Sequence, residues 1–421
     1  MWRLAFRNLG RHRVRSLLTA GGMAVGVAML IFTNGFAQAQ IDVMIRGATS
    51  ADLGQARVST AGWADRPSIY RHLEVDDALL DRIAAVDGVA GAAPRVRSWG
   101  LVGTEARSMV AKLNGVNPSR EVGVTRVHEA VIEGRWLEDV ATEGFDPRPV
   151  VLGHHLARQL QVGVGDELVA FMQAADGALG NDLLMIVGIV DTGNSEIDRS
   201  SVFMHIDDLR FLTALEGRAH EIALGVTDLR TVTDTTHRMR AALDVSSSPG
   251  RDDLVVMSWG EILPQLWQMV ELSRSSSWVL YLIVYSVVAL GVLNTQRMSA
   301  IERRREFGVM VGIGLHPRRL AALVMLETVL LSTLGGVFGA ILGGLTVGWF
   351  SVHGLDFAAL GSVDGFTLMG VSFDNRLYMP LTLGVVLPPV VIVVLVGTAC
   401  GLWPAMTASR IDAVRAIGGR T

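Results

Sequence analysis

The stretch "WVLYLIVYSVVALGVL", Trp278 to Leu293, carries no charge in sixteen residues, and shortly after it comes "AIERRREFGVMVGIG", Ala300 to Gly314. In the second stretch five charges, Glu302, Arg303, Arg304, Arg305 and Glu306, stand side by side before apolar residues return. A helix needs roughly 20 apolar residues to cross a hydrocarbon layer about 30 Å thick. The uncharged run meets that demand, and a knot of Arg directly behind it marks the place where a span leaves the membrane.

Three further runs qualify: about Ser16 to Ala37, Leu320 to Phe350 and Pro380 to Pro404. Arg placement sets their direction. Arg3, Arg7, Arg11, Arg13 and Arg15 precede the first run. Arg297, Arg303, Arg304, Arg305, Arg318 and Arg319 lie between the second and third. Arg410, Arg415 and Arg420 follow the fourth. The segment between runs three and four has Asp356, Asp364 and Asp374 against the single cation Arg376. The Arg-rich segments therefore fall on one side, the cytoplasm, both termini included, and the long stretch after run one lies outside. "AQA", Ala37 to Ala39, imitates a signal-peptidase site, but the run before it exceeds the 7–15 residues of a signal h-region, so it reads as a retained span.

The expected fold is an α-helical membrane protein with four transmembrane helices and a large α+β extracytoplasmic domain inserted between helices 1 and 2. Its parts are an interfacial helix at 1–15, a span at 16–37, the α+β domain at 38–257 and a stalk helix at 258–275. A span at 276–295, a cytoplasmic loop with a short helix at 296–319 and a span at 320–350 follow. A short external segment at 351–379, a span at 380–404 and a cytoplasmic tail at 405–421 complete it. Within the domain, "DDALLDRIAAVDGV" reads as a helix with Leu79, Leu80, Ile83 and Val86 on one face, stopped by Gly88. "VVLGHHLARQLQVGVGDELVAFM" reads as strand, helix, turn, strand, and "SSVFMHI" as another strand. "RTVTDTTHRMRAAL" reads as a helix.

The totals fit. The 421 residues are 50% hydrophobic and 19% charged, with a mean hydropathy of +0.39. A net charge of −4 gives no reason to expect a nucleic-acid partner. The one cysteine, Cys400, excludes an intrachain disulfide. The one lysine, Lys112, has no glycine-rich loop around it, so the chain has no P-loop and no ATP-splitting site of that kind. No catalytic residue and no metal site is expected. His128-Glu129 fails as H-E-x-x-H because Ile132 stands in the last place, and Ile197 spoils G-x-S-x-G after Gly193. The adjacent pair His154-His155 points about 100° apart on a helix, a poor pair of ligands. The acids of the external segment read as solvated.

Glu327, inside run three, needs a partner. Arg318 and Arg319, about two turns away, are the expected ones; a place on a substrate path is the alternative. Gly335, Gly339 and Gly343, with Gly22 and Gly26 of run one, have the small-residue spacing that lets membrane helices approach closely. In the charged knot, Glu302 and Glu306 are i,i+4 on an expected helix whose apolar stripe is Ile301, Phe307, Met310 and Val311.

At these residues the chain resembles a known family. "NTQRMSAIERRREFGVMVGIG" and "LETVLLSTLGGVFGAILGG" are similar to the FtsX-like permeases of ABC transporters, the group with MacB and the lipoprotein-releasing permeases. "LAFRNLGRHRVRSLLTAGGMAVGVAML", "VVLGHHLARQLQVGVGDEL", "IVGIVDTGNSEIDRSSVFM" and "WPAMTASRIDAVRAI" resemble its other stretches. "VDTGNSEIDRSSVFM" and "HGLDFAAL" are closer to the lipoprotein-releasing branch.

The resemblance implies a non-enzymatic inner-membrane permease subunit paired with a second copy or a related chain. A cytoplasmic ATPase dimer docked beneath it would hold ATP and Mg. Ile301, Glu302, Arg303, Arg304, Arg305, Glu306, Phe307 and Gly308 would be the coupling segment seated in that ATPase. Motion would pass to the periplasmic domain and lift lipoproteins from the membrane toward a periplasmic carrier. Acyl chains would need an apolar cavity open to membrane lipids, for which Phe32, Phe36, Trp278, Leu282 and Tyr285 are placed. The knot departs from the family in having three consecutive Arg, and no carrier-capturing loop is evident. An FtsX-like subunit regulating an external cell-wall enzyme and a MacB-like exporter component are the alternatives.

Overall fold

The structure, a computed structural model, describes residues 13–142, 144, 146–245, 253–356, 367–368, 371–372 and 376–410. The expected interfacial helix at 1–15 falls almost wholly outside them, as do Arg415 and Arg420 of the tail. Among the described residues, four helices are long and apolar enough to cross a membrane. The chain divides into two compact units, one drawn from Met1–Ile41, Val270–Ser362 and Asn375–Thr421, the other from Asp42–Met269 and Val363–Asp374.

The helical unit is built on α1 (Arg13–Ala48), α9 (Pro264–Glu302), α10 (Arg304–Gly312), α11 (Pro317–His353) and α12 (Leu383–Ser409). Small residues let α11 sit against two neighbours at once. A Cβ added at Gly335, Gly339 or Gly343 would lie within 2.9 Å of Met23, Val27 or Ile31 of α1. On another side, a Cβ at Gly401 or Gly397 of α12 would meet Thr328 or Ser332 of α11. Pro388, Pro389 and Pro404 lie inside α12, as membrane helices tolerate when neighbours re-satisfy the freed backbone groups. Residues Leu355–Asp356 and Arg376–Leu377 pair as a short antiparallel ladder between α11 and α12.

Helices α1 and α9 both run past the lengths expected of them. The chain carries no break at 296–301, so the second long helix continues to Glu302. Its start differs too. The stalk expected from residue 258 is interrupted: Ser258 and Glu261 form a capping box for a short helix, Trp259–Ile262, and Pro264 then opens α9. Proline suits a first helical position, where its missing N–H would bond nothing.

The inserted unit contains a sheet of ten strands. Strands β1 (Ala56–Thr60), β3 (Val89–Gly103), β11 (Glu221–Val226) and β12 (Leu254–Ser258) form an antiparallel layer in the order β12-β1-β11-β3. Helices α2 (Asp77–Ala84) and α7 (Val232–Ala242) cover one face through Leu80, Ile83 and Met239, which meet Val58, Ile222 and Val256. Asp76 caps α2, accepting from the Leu79 N–H at 2.8 Å, a contact worth about 1 kcal/mol.

The fifteen residues of β3 reach beyond this layer. Its far half pairs with β4 (Ser108–Val116) and β7 (Glu167–Gln173). The pairings continue from β4 to β9 (Ser201–His205), β6 (Arg148–Gly153) and β8 (Leu179–Val190), then return to β7. Six strands thus close on themselves. Alternate residues fill the inside, among them Val102, Leu113, Leu168, Met172, Leu184 and Val202, as the two-residue strand period requires. Between the strands, α4 (His154–Leu160) and α6 (Ile206–Thr213) plug the core with Leu156, Leu160 and Leu209. Strand β3 therefore belongs to both lobes.

Candidate functional site

The charged knot folds as an elbow. Helix α9 ends at Glu302 and α10 begins at Arg304. Glu302 and Glu306 thus sit on different helices, which corrects the expected i,i+4 pair. The cause is Arg303. Its side chain, 8% exposed, turns inward, donating from Nη1 to Glu327 at 2.6 Å and from Nε to Glu306 at 3.3 Å. Its guanidinium carbon lies 5.0 Å from the Phe307 ring centroid. Glu327 therefore has Arg303 as a partner, whereas Arg318 and Arg319, expected in that role, are exposed on the first turn of α11.

The rest of the knot divides by burial. Phe307 and Gly308 are buried, and Phe307 packs on Leu320, Val324, Ala405 and Ala408. Met310 and Val311 join that cluster, but Ile301 is 59% exposed and stands outside the expected stripe. Ile301, Glu302, Arg304 and Arg305 remain on the surface. A buried, hydrogen-bonded Arg carboxylate pair fixes the bend, and two exposed arginines point away from it.

At the other end of the same unit a cavity of about 350 Å³ opens among α1, α9 and α12. Its wall includes Leu30, Trp278, Tyr285 and Pro388, with Asn34 and Gln38 as polar points. Asn34 donates to the Val385 carbonyl at 3.1 Å and accepts from the Tyr281 hydroxyl at 3.2 Å, tying the three helices together. Of the five residues read as cavity candidates, Trp278 and Tyr285 line it. Phe32 and Phe36 stack on one another, with Phe32 edge-on to Phe350 of α11, and Leu282 is 69% exposed. These three do not line it. Gly22 and Gly26 line a second groove of about 410 Å³ between α1 and α9. Gly26 touches Val288 there, while Gly22 has nothing within 4 Å of a Cβ position.

The inserted unit overturns the expectation that its acids are solvated. Asp52, Glu121 and Glu221 are buried, together with Arg57, Arg95, Arg97 and most of Lys112. On β1, β11 and β3, Arg57, Glu221, Arg95 and Arg97 occupy the alternate positions that face away from α2 and α7. Burial by itself would raise the Asp52 and Glu221 carboxyls. Arg97 and its neighbouring cations outweigh it, holding Asp52 far below the carboxylate range and Glu221 at about 2. Two signals could have pointed here: arginines alternating along an apolar strand, at Arg95 and Arg97, and the chain's single lysine.

Among the described residues, one group could hold a metal ion by proximity: His154, Asp191 and Asp198. Asp198 already accepts from the Thr192 N–H at 3.0 Å and hydroxyl at 2.9 Å. His155, next in the chain, is not part of the group.

Residues 16–242 match the MacB-like periplasmic core domain, and residues 278–413 match the FtsX-like permease C-terminal region. The chain belongs to the MacB/FtsX family of ABC transporter permeases. It is 23% identical over 79% of its length to the lipoprotein-releasing system transmembrane protein LolC of Neisseria meningitidis serogroup B, covering 77% of that protein. It is 26% identical over 99% of its length to the macrolide export ATP-binding/permease protein MacB of Nitrosomonas europaea, covering 58% of it. A crystal structure of the periplasmic region of MacB from Actinobacillus actinomycetemcomitans aligns with 54% of the chain and 95% of that structure, at 15% identity and a TM-score of 0.35. The FtsX-like permease is thus a multi-pass membrane protein whose periplasmic α+β domain is inserted between its first two long helices. The parts matched are periplasmic core and permease, without an ATP-binding part.

Proposed function

We propose that this permease extracts lipoproteins from the inner membrane and passes them to a periplasmic carrier, driven by a cytoplasmic ATPase dimer that holds ATP and Mg. The observation that carries the reading is the cavity among α1, α9 and α12. It is largely apolar, carries polar groups at Asn34, Gln38, Arg274 and Ser277, and has the volume of a small-ligand site. An acyl chain fits such chemistry: the apolar wall takes the chain and the polar points meet its linkage. The relationship to LolC, over 79% of this chain and 77% of that protein, supports lipoprotein as the cargo class.

Force would enter at the elbow. Arg304 and Arg305, on the surface of a bend fixed by Arg303 and Glu327, would meet acidic residues of the ATPase, with the Arg side of the membrane as the cytoplasm. Closure of the ATPase dimer would move α9 and α11 through that bend. A second permease copy or a related chain would complete the assembly.

The test is purification of the full-length chain with native lipids, followed by mass spectrometry of what comes with it. An acylated protein, lost on Tyr285→Ala with the ATPase retained, is the expected result. An ATPase with a peptidoglycan hydrolase and no acylated protein would replace this reading by an FtsX-like signalling role. The MacB relationship makes export of a soluble amphiphile a third outcome.

A further inference from the structure

Helix α1 does not simply stop where the inserted unit begins. Residues Thr49–Leu53 continue it as one wider turn, closed by the Gly54 N–H donating to the Thr49 carbonyl at 2.9 Å. Such π-type turns are uncommon and cluster at functional positions. Asp52 lies in this turn, and three cations converge on it. Arg97 of β3 donates to its carboxylate at 2.6 Å and Lys112 of β4 at 2.7 Å. Arg95 and Arg97 also donate to its backbone carbonyl, the latter at 3.2 Å. Behind them Glu221 of β11 binds Arg97 at 2.8 Å and Arg57 at 3.2 Å, while Glu121 pairs with Arg95. The turn is also tied by the Arg126 N–H to Ser50 and, just beyond it, by Gln55, whose N–H donates to Leu224 and which accepts from Trp259 and Val226.

We propose that Asp52 is a positioning residue, the ionic joint that fastens the distal end of α1 to β3 and β4. An axial shift or rotation of α1 would then reach β3 as a rigid displacement. Because β3 belongs to both lobes, one joint moves both. The proposal rests on the reading that nucleotide-driven motion reaches the periplasmic unit; it adds the residue through which α1 delivers it. Charge is the working element, since a neutral side chain of the same shape keeps the packing and the bonds to the backbone carbonyl and gives up the ionic hold on Arg97 and Lys112. Four cations share three carboxylates here, so the loss of Asp52 leaves four cations to two carboxylates, with Lys112 of β4 deprived of its ion-pair partner.

The test uses the full-length chain copurified with its ATPase in lipid nanodiscs, read by amide hydrogen exchange with and without ATP and vanadate. In the native chain, nucleotide alters exchange in β3 and β4. Lys112→Met, at the most exposed member of the joint, and Asp52→Asn abolish that response. Exchange at 49–55 rises about tenfold, as local opening of a single cooperative segment would give. ATP turnover and the protection of Leu113 and Val202 stay as they were, and Lys112→Arg restores the response. A nucleotide response that survives both neutral variants overturns the joint. So does a loss of Leu113 and Val202 protection in step with the response, which would mark a purely structural role. A native chain without any response overturns the force-transmission reading on which the joint rests.

Discussion

His220 is fully buried, stacks on Trp63, and accepts from the Arg97 N–H at 2.9 Å through Nδ1. Burial pushes its imidazole down to about 4 from the ordinary 6.5. The folded value lies below the unfolded one, so the stabilisation is complete above pH 6.5 and drains away as pH falls toward 4. The full loss is about 3 kcal/mol for a shift of this size. Glu221 acts the same way in a lower window, between its ordinary 4.5 and about 2. Melting of the full-length chain in detergent should therefore fall steeply from pH 6.5 to 4.5, and His220→Asn should flatten that slope. In the helical unit, Glu327→Gln strands Arg303 without its shortest ion pair and should destabilise by about 3 kcal/mol. Arg318→Ala, at an exposed position, should change stability by less than about 0.5 kcal/mol. Thermal unfolding separates the two, and equal effects would mean that Glu327 leans on Arg318 after all. No sequence rule pointed to Arg303, because which of three adjacent arginines turns inward depends on where α9 stops.

Between elements, the α1–α11 seam depends on hydrogen in place of methyl. A Cβ at Gly339 would lie 2.5 Å from Val27 Cβ and 2.7 Å from the Ala24 carbonyl oxygen. Gly339→Ala should thus push the helices apart and lose about 2 kcal/mol, the usual scale of overpacking. Gly344, one residue beyond the seam, has nothing within 4 Å, so Gly344→Ala should hold or raise stability by up to about 1 kcal/mol through helix propensity. Matched melting curves in detergent decide it; a tolerated alanine at Gly339 would mean that the seam is loose. The glycine spacing in run three was readable because membrane packing writes a four-residue period into the sequence. The end of α9 was harder, since Asn294 to Arg297 are polar yet remain helical.

At the scale of the whole chain, four apolar runs and an inserted α+β unit were legible from hydropathy and arginine placement. The closed ring of six strands was not. Its β7–β3 and β4–β9 pairings join residues far apart in sequence, and period-two alternation says which side is inward without saying which strand is the neighbour. The cavity among α1, α9 and α12 was only partly legible: placement along the spans pointed to Trp278 and Tyr285, but equally to Leu282, Phe32 and Phe36, of which Phe32 packs edge-on to Phe350 of α11 and Phe36 stacks on Phe32. A whole-assembly prediction follows from the elbow. Arg304 and Arg305 are exposed, so reversing both to Glu should abolish ATPase copurification while leaving the melting temperature within a few degrees, as surface changes usually do. Retention of the ATPase by that double variant would move the docking surface elsewhere. Lys112 carries the one ε-amine in 421 residues, three-quarters covered and bound to Asp52. An amine-selective acylating reagent therefore meets a single side-chain target, and its labelling rate becomes a clock for how often α1 lets go of the sheet.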